Sequence, residues 1–148
     1  MPARIDRVVV SGVFSLDGQD FDVDNNVWLV GNDDEVLVID APHDAAPIVE
    51  AIGGRTVAGI VLTHGHNDHI TAAVALREAT GAPILFHPAD RMLWNAVHPD
   101  ASPDAEIADG TRFTVAGTTL QAMHTPGHSP GRARSRSRID RTIVGWSL

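Results

Sequence analysis

Three histidines and one aspartate lie within six residues of the stretch "THGHNDH", at positions His64, His66, Asp68 and His69. Zinc and similar divalent ions are bound by imidazole nitrogen and carboxylate oxygen, and a catalytic site keeps one position for water. In a regular strand these side chains could not converge, because neighbouring residues alternate between faces. The chain must therefore turn here, and Gly65 permits the turn. The spacing predicts a metal site built on a loop.

The loop could serve one or two metal ions. If His64 and His66 close a strand while Asp68 and His69 open a helix, the side chains can face two centres about 3.5 to 4 Å apart, as in two-metal hydrolases. The alternative interpretation is a polar strand-to-helix loop whose histidines are solvated. Such dense clustering of metal-binding residue types favours the metal site.

The composition limits the other chemistry open to the chain. It contains no cysteine, which excludes disulfides, thiolate metal sites and a cysteine nucleophile. A length of 148 residues with 43% hydrophobic and 20% charged residues is typical of one globular domain or part of one. The only apolar run near the start, "VVV", is too short for a signal peptide or a membrane span. We therefore expect a cytoplasmic protein with no membrane partner.

Strands and helices are predicted on both sides of the metal loop, as in an α/β (α+β) fold. Strands are indicated by three Val-, Leu- and Phe-rich runs, "RVVVSGVFSL", "NNVWLVG" and "EVLVIDAP". A helix over "HDAAPIVEAIGG" with a glycine C-cap precedes a buried strand over "TVAGIVLTH". From Asn67 to Thr80 a second helix is predicted, with Asn67 or Asp68 as N-cap. Its apolar face would comprise Ile70, Ala73, Val74, Leu76 and Ala79.

The second half of the chain continues with a strand over "APILFHPAD" and a short helix from Asp90 to Trp94. A loop rich in Pro and Asp follows from His98 to Asp109. Two strands, "TRFTVAG" and "TTLQAMHTPG", are then joined by a turn at Ala116 and Gly117. These elements predict that the metal loop lies at the carboxyl end of a strand and ahead of a helix.

Three motifs resemble the metallo-β-lactamase-fold hydrolases. "THGHNDH" matches the family's His-Xaa-His-Xaa-Asp-His motif, and "HTPGHSPG" is similar to the segment that supplies its next metal ligand. "NNVWLVGNDDEVLVIDAP" resembles the family's opening hairpin, which ends in an aspartate that braces the metal loop, here Asp40. The resemblance covers about residues 8–131. It implies an αββα sandwich of two similar halves, of which this chain holds the first half and part of the second.

The resemblance also implies a set of metal ligands: His64, His66 and His128 for the first ion, and Asp68 and His69 for the second. His128 is preferred to His124, because the family's ligand follows Pro-Gly, and His124 is expected to pack near the site. Three further histidines match no family position and are expected in loops or on the surface: His43, His87 and His98.

The family's activity is metal-dependent hydrolysis of small-molecule substrates, and this chain looks most like its glyoxalase II-like branch. The implied function is hydrolysis of an ester or thioester, as in hydroxyacylglutathione hydrolases. The implied cofactor is one or two Zn²⁺ ions, with iron or manganese as alternatives. A metal ion lowers the pKa of its bound water to about 7, which supplies a hydroxide nucleophile. Asp68 is the predicted catalytic residue that orients this water.

The segment after Gly131 departs from the family pattern. Residues 1–131 hold six arginines against 18 acids, a net charge of −12, whereas residues 132–148 hold five arginines against one acid, a net charge of +4. We therefore expect an incomplete metallo-β-lactamase-like domain over 1–131 and an Arg-rich tail or linker over 132–148. The abrupt change suggests that the coding sequence shifts frame near Gly131, which translation of the coding DNA in the other two frames would test.

An aspartate that bridges both metals follows the third motif in the family, and a last histidine follows later. Asp140 has neither the spacing nor the neighbours of that aspartate. The alternative function is therefore a truncated, non-catalytic remnant or metal-binding module that lacks the bridging carboxylate. Loss of most of the second sheet would also expose apolar strands such as "VLVID" and "GIVLTH", and it predicts self-association through that sheet. Nucleic acid is not an expected partner, since the acidic remainder would repel phosphates.

Overall fold

The computed structural model describes residues 3–63, 65, 67–108, 110–124, 133–137 and 143–144. Within these residues the strands form two sheets, of six and of four strands. The first sheet contains β1 (Arg4–Leu16), β2 (Gln19–Gly31), β3 (Glu35–Ile39), β4 (Thr56–Val61), β5 (Ile84–Phe86) and β6 (Ala105–Glu106). The second contains β7 (Arg112–Val115), β8 (Thr118–His124), β9 (Ala133–Ser137) and β10 (Ile143–Val144). The helices are α1 (Ala45–Ile52), α2 (Asn67–Ile70), α3 (Ala73–Thr80) and α4 (Arg91–Val97), with a 3-10 helix over Pro88–Asp90.

The first sheet changes direction in its middle. Strands β1, β2 and β3 are antiparallel neighbours, as the predicted meander requires, whereas β3, β4, β5 and β6 are paired in parallel. Parallel strands need crossover connections, and α1 and the α2–α3 pair supply two of them. The carboxyl ends of β3, β4 and β5 therefore lie along one edge of the sheet.

The core has two parts, one on each face of this sheet. Because side chains alternate along a strand, Val36 and Val38 of β3 face one side and Leu37 and Ile39 face the other. The first side packs against helices through residues such as Ile48, Ile52, Leu76 and Trp94. The second side packs against the four-stranded sheet through Phe113, Val115, Leu120 and Ala122. This helix, sheet and sheet layering confirms the predicted sandwich, with its first half and part of the second.

The prediction that the apolar strands are exposed was wrong. All side chains of "VLVI" in β3 are at most 3% exposed, because β7 and β8 cover the outer face of the first sheet. Among the described residues, the exposed large apolar side chains are Val9, Val13 and Phe21 on the β1–β2 hairpin, Val49 on α1 and Met92 on α4. Self-association remains a prediction, although the apolar strands that were expected to mediate it are buried.

The segment after residue 131 contains strands that the tail or linker interpretation did not include. Strand β9 pairs with β8, and β10 pairs with β9, both in antiparallel register. The β9 sequence "ARSRS" alternates small residues with arginine and contains no apolar face. Hydrophobic periodicity therefore gives no signal, and backbone pairing with the edge of β8 forms the strand. The domain boundary at 131 remains a prediction.

The helix predicted from Asn67 to Thr80 is interrupted after Ile70. The Ala41 N–H donates to the His69 carbonyl over 3.1 Å, and the Ala72 N–H donates to the Ala41 carbonyl over 2.9 Å. These two backbone groups would otherwise bond within one continuous helix. The insertion of Ala41 thus divides it into α2 and α3. Ala79 is exposed, which corrects its assignment to the apolar face, whereas most of that face is buried as predicted.

The predicted helix over "HDAAPIVEAIGG" is confirmed as α1. Asp44 caps its first turn by accepting the Ala46 N–H, and Gly53 ends it in the left-handed conformation at φ 65°. The helix predicted at Asp90 begins one residue later and continues to Val97. No helix in the described part of the chain is long and apolar enough to cross a membrane.

Candidate metal site

Three loops at the carboxyl ends of β3, β4 and β5 build the candidate site. They lead to Asp40, to Asp68 and His69 at the start of α2, and to Asp90 in the 3-10 helix, respectively. The placement of the motif between β4 and α2 is confirmed. However, β4 ends at Val61, before the first residue of the motif. Asn67 and Asp68 lie within the first turn of α2, not at its N-cap. His64, His66 and His128 lie outside the described residues, as does the side chain of His124.

Asp40 braces the metal loop, as the resemblance implied. Its carboxylate is fully buried and accepts the Thr63 N–H over 2.8 Å and the Thr63 hydroxyl over 2.8 and 2.9 Å. It also accepts a hydrogen bond from His69 Nδ1 over 3.0 Å. The backbone of Asp40 is left-handed, at φ 71°, a conformation that aspartate tolerates better than most residues. One carboxylate thereby joins the start of the loop to the first turn of α2.

The bond to Asp40 determines which nitrogen of His69 can bind a metal. Because the carboxylate only accepts, Nδ1 carries the proton and Nε2 presents its lone pair. Nε2 lies 3.5 Å from Asp68 Oδ2, and both side chains are buried. An imidazole nitrogen and a carboxylate oxygen are the donors that zinc prefers, so this pair fits a metal ion.

The two predicted ligands of the second ion are therefore adjacent. In the described part of the chain, no group of three or more His, Cys, Asp or Glu side chains could hold a metal ion. His64 and His66 belong to the same sequence motif but are not among those residues. Nearby in sequence, Asn67 Oδ1 is buried and has no hydrogen-bond partner among the residues that the structure describes. Buried acceptors are normally paired, so this oxygen also leaves the loop able to accept a ligand.

Asn25 of β2 contacts both Asp68 and His69. Its Nδ2 donates to Asp68 Oδ2 over 3.1 Å and lies 3.2 Å from His69 Nε2, and its Oδ1 lies 2.8 Å from His43 Nε2. Sequence reasoning missed Asn25, because it is 43 residues from Asp68 and only the sheet order brings the two together.

His43 lies in the loop between β3 and α1, as expected, yet it contacts the site. The side chain is half-buried, and burial lowers the pKa of its imidazole, opposed by the negative charge of Asp68. At neutral pH the ring is therefore held in its neutral form. Sequence offered no signal for this role, since a lone loop histidine is more often unrelated to a site.

Asp90 holds the loop from the opposite side. Its buried carboxylate accepts the Gly65 N–H over 2.8 Å. Gly65 is needed here because the neighbouring chain is close: an added Cβ would lie 2.8 Å from Leu93 Cβ and 3.0 Å from Phe86 Cζ. Its φ is outside the left-handed region. Glycine is therefore required at position 65 because Leu93 and Phe86 pack closely against it, and not because of the turn that the sequence predicted.

The two remaining histidines make local contacts in loops, as predicted. His87 caps the 3-10 helix by accepting the Ala89 N–H over 3.1 Å. His98 Nε2 lies 2.7 Å from the Ile70 carbonyl, and its ring centre lies 4.6 Å from that of Trp94. Both side chains therefore support the elements beside the site.

A layer of helices and two sheets, with Asp68 and His69 placed after a parallel strand, corresponds to three of the four layers of an αββα sandwich. The sequence model of the metallo-beta-lactamase superfamily matches residues 21–144. This chain belongs to the metallo-beta-lactamase superfamily.

Relatives of known sequence cover much of the chain. An uncharacterized protein of Aquifex aeolicus (strain VF5) is 35% identical over 125 residues, which are 77% of this chain and 59% of that protein. A hydroxyacylglutathione hydrolase of Acidiphilium cryptum (strain JF-5) is 36% identical over 111 residues, covering 73% and 42% of the two chains. The chain therefore spans between about two fifths and three fifths of the length of these curated relatives.

Solved structures support the fold. The crystal structure of BLEG-1 B3 metallo-beta-lactamase aligns with a TM-score of 0.69 at 27% identity, covering 80% of this chain and 64% of that one. The metallo-beta-lactamase BJP-1 of Bradyrhizobium japonicum aligns with a TM-score of 0.64 at 23% identity, over 76% of this chain and 50% of that one. The second likeness concerns the fold alone.

Proposed function

We propose that this chain acts as a metal-dependent hydrolase of an ester or thioester, of the hydroxyacylglutathione hydrolase kind. The observation that carries the proposal is the buried pair of Asp68 Oδ2 and His69 Nε2, 3.5 Å apart. Asp40 holds His69 in the tautomer that leaves Nε2 unprotonated. A solvated polar loop would need neither the burial nor this bond.

The proposed ligands are Asp68 and His69, with His64, His66 and His128. One or two Zn²⁺ ions held there would activate a water molecule and polarise the substrate carbonyl, with iron and manganese as alternatives. The protein contributes the orientation of its donor atoms. Asn25 engages Asp68 Oδ2, so Oδ1 is the oxygen available to accept a hydrogen bond from the attacking water.

In a thioester, the oxygen of this water would join the carbonyl carbon and the carbon–sulfur bond would break. The proton that the water gives up would pass to the sulfur, which leaves as a thiol. Asp68 is proposed to direct the water toward the carbon. A thioester is favoured over a β-lactam, because relatives named hydroxyacylglutathione hydrolase are 29% to 36% identical, whereas the BLEG-1 lactamase is 27% identical.

The test combines metal content with turnover. Zinc-loaded protein is analysed for metal per chain and assayed with a hydroxyacyl thioester of glutathione and with a β-lactam. Asp68→Asn, which keeps the size but not the charge, should lower thioester hydrolysis about 100-fold or more. Asp44→Asn is the matched control on an exposed carboxylate that only caps α1. A chain that binds metal but hydrolyses neither substrate would favour the alternative, a non-catalytic metal-binding module.

A further inference from the structure

We propose that Asn25 and His43 are positioning residues, which orient the Asp68 carboxylate through a chain of hydrogen bonds. The inference rests on the proposed function, since it concerns how Asp68 is presented to a metal ion. Neither residue belongs to the ligand set that the motifs imply. Both come from parts of the chain that precede the loop, namely β2 and the β3–α1 connection.

The chemistry of the partners determines which group donates in each of these hydrogen bonds. The carboxylate of Asp68 accepts only, so the amide of Asn25 must turn its NH₂ group toward it. The Asn25 oxygen then faces His43, so His43 Nε2 must carry a proton and donate over 2.8 Å. The amide has no second orientation that satisfies both neighbours. The three side chains therefore hold one another in a single arrangement, in which His43 retains the Asn25 oxygen and Asn25 retains Asp68 Oδ2.

Burial protects these hydrogen bonds from competition with water. Asn25 is 8% exposed and Asp68 is 7% exposed, so water does not readily replace either partner. Through Nδ2, Asn25 also lies near His69 Nε2, at 3.2 Å. The one amide group therefore contacts both proposed ligands of the second ion, and it leaves Asp68 Oδ1 for the attacking water.

Gly12 of β1 leaves the space that the His43 ring occupies. A Cβ at Gly12 would lie 2.3 Å from both Cγ and Nδ1 of His43, so the absence of a side chain lets the imidazole lie against the strand. The backbone of His43 is itself left-handed, at φ 58°, which is uncommon for a residue other than glycine. Two unusual features thus converge on one result, the placement of His43 Nε2 against Asn25.

Four variants separate hydrogen bonding from packing. Asn25→Leu replaces the amide with an apolar group that branches at the same carbon. His43→Phe keeps a ring on Gly12 but removes the donor, whereas His43→Gln loses the ring and supplies an N–H close to the position of Nε2. Gly12→Ala displaces the ring without changing any polar group. Asn26→Leu is the matched control, because neighbouring residues of β2 point to opposite faces of the sheet.

The readout is zinc affinity, measured by competition with a chromophoric chelator, with urea unfolding of the metal-free proteins to confirm folding. Loss of a residue that orients a metal ligand typically weakens affinity about 10- to 100-fold. We expect this loss in Asn25→Leu, His43→Phe and Gly12→Ala, recovery to within about threefold of the parent in His43→Gln, and parent affinity in Asn26→Leu.

The outcomes distinguish the two proposals. If the parent binds zinc and Asn25→Leu binds it equally well, the positioning role is wrong while the metal site stands. If His43→Phe matches the parent and His43→Gln does not, His43 acts by packing, and its part in the inference is overturned. A parent that binds no zinc overturns the proposed function and this inference together. Should Gly12→Ala fail to fold, the two His43 variants still decide the role of that ring.

Discussion

Replacing Asp40 with asparagine should destabilise the fold and change the protonation of His69. The asparagine keeps one oxygen for the Thr63 N–H but places an NH₂ group opposite His69 Nδ1–H, where the structure has a 3.0 Å hydrogen bond. Two donors then face each other, so His69 must move its proton to Nε2 or lose the bond. A hydrogen bond to a charged group contributes about 1.5 to 3 kcal/mol, so we expect the free energy of unfolding to fall by about 2 kcal/mol.

The assay is urea unfolding followed by tryptophan fluorescence at pH 7, with a chelator present to remove metal binding from the measurement. For a chain of this length, a loss of about 2 kcal/mol corresponds to a fall of about 4 to 8 °C in Tm. Nitrogen NMR should show the proton of His69 on Nε2 in the variant and on Nδ1 in the parent. Asp44→Asn is the matched control, since asparagine caps a helix as well as aspartate does. The reasoning is refuted if Asp40→Asn is as stable as Asp44→Asn and His69 keeps its tautomer.

Three further predictions concern single positions. Gly65→Ala should destabilise the protein by about 1 to 3 kcal/mol in the same urea assay, because its Cβ meets Leu93 and Phe86; parent stability would contradict the close packing. Gly53→Ala should lower stability by about 1 to 2 kcal/mol, since the C-cap of α1 is left-handed, and no loss would mean that this turn relaxes. NMR titration should give His43 a pKa below that of an exposed histidine, because burial lowers it more than Asp68 raises it. The stability that neutral His43 contributes should be complete above the ordinary histidine pKa and lost as the pH falls through the lowered value, so a raised pKa would overturn this account.

The sequence predicts the elements best where hydrophobic period and local capping agree. Strand β3 alternates between two buried faces, α1 has an Asp cap and a Gly stop, and both were predicted. The continuous helix from Asn67 was not correct, because Ala41 inserts its backbone into it from another part of the chain. Strand β9 has no apolar face to detect, since backbone pairing with β8 and β10 defines it. The errors thus occur where a distant backbone segment decides the local structure.

The same distinction applies to the site. The motif gives Asp68 and His69 directly, and its resemblance to a family gives Asp40. Asn25 and Asp90 are invisible to such reasoning, because their contacts to the loop depend on the order of strands in the sheet. An asparagine in a strand and an aspartate before a helix are both commonplace in isolation. Their roles become apparent only when β2 and β5 are placed on either side of the β3–β4 pair.

The residues that hold the Asp68 and His69 pair in place all come from the first sheet and its connections. Asp40 follows β3, Asn25 belongs to β2, and Asp90 follows β5, so all three carboxylate or amide contacts come from the first sheet and its loops. The second sheet covers the opposite face and contributes apolar packing through residues such as Phe113 and Leu120. Asp40 and Asp90 hold the backbone N–H groups of residues 63 and 65 from two sides of the site. The geometry of this pair should therefore follow the integrity of the first sheet, whereas the second sheet influences it only through the stability of the shared core.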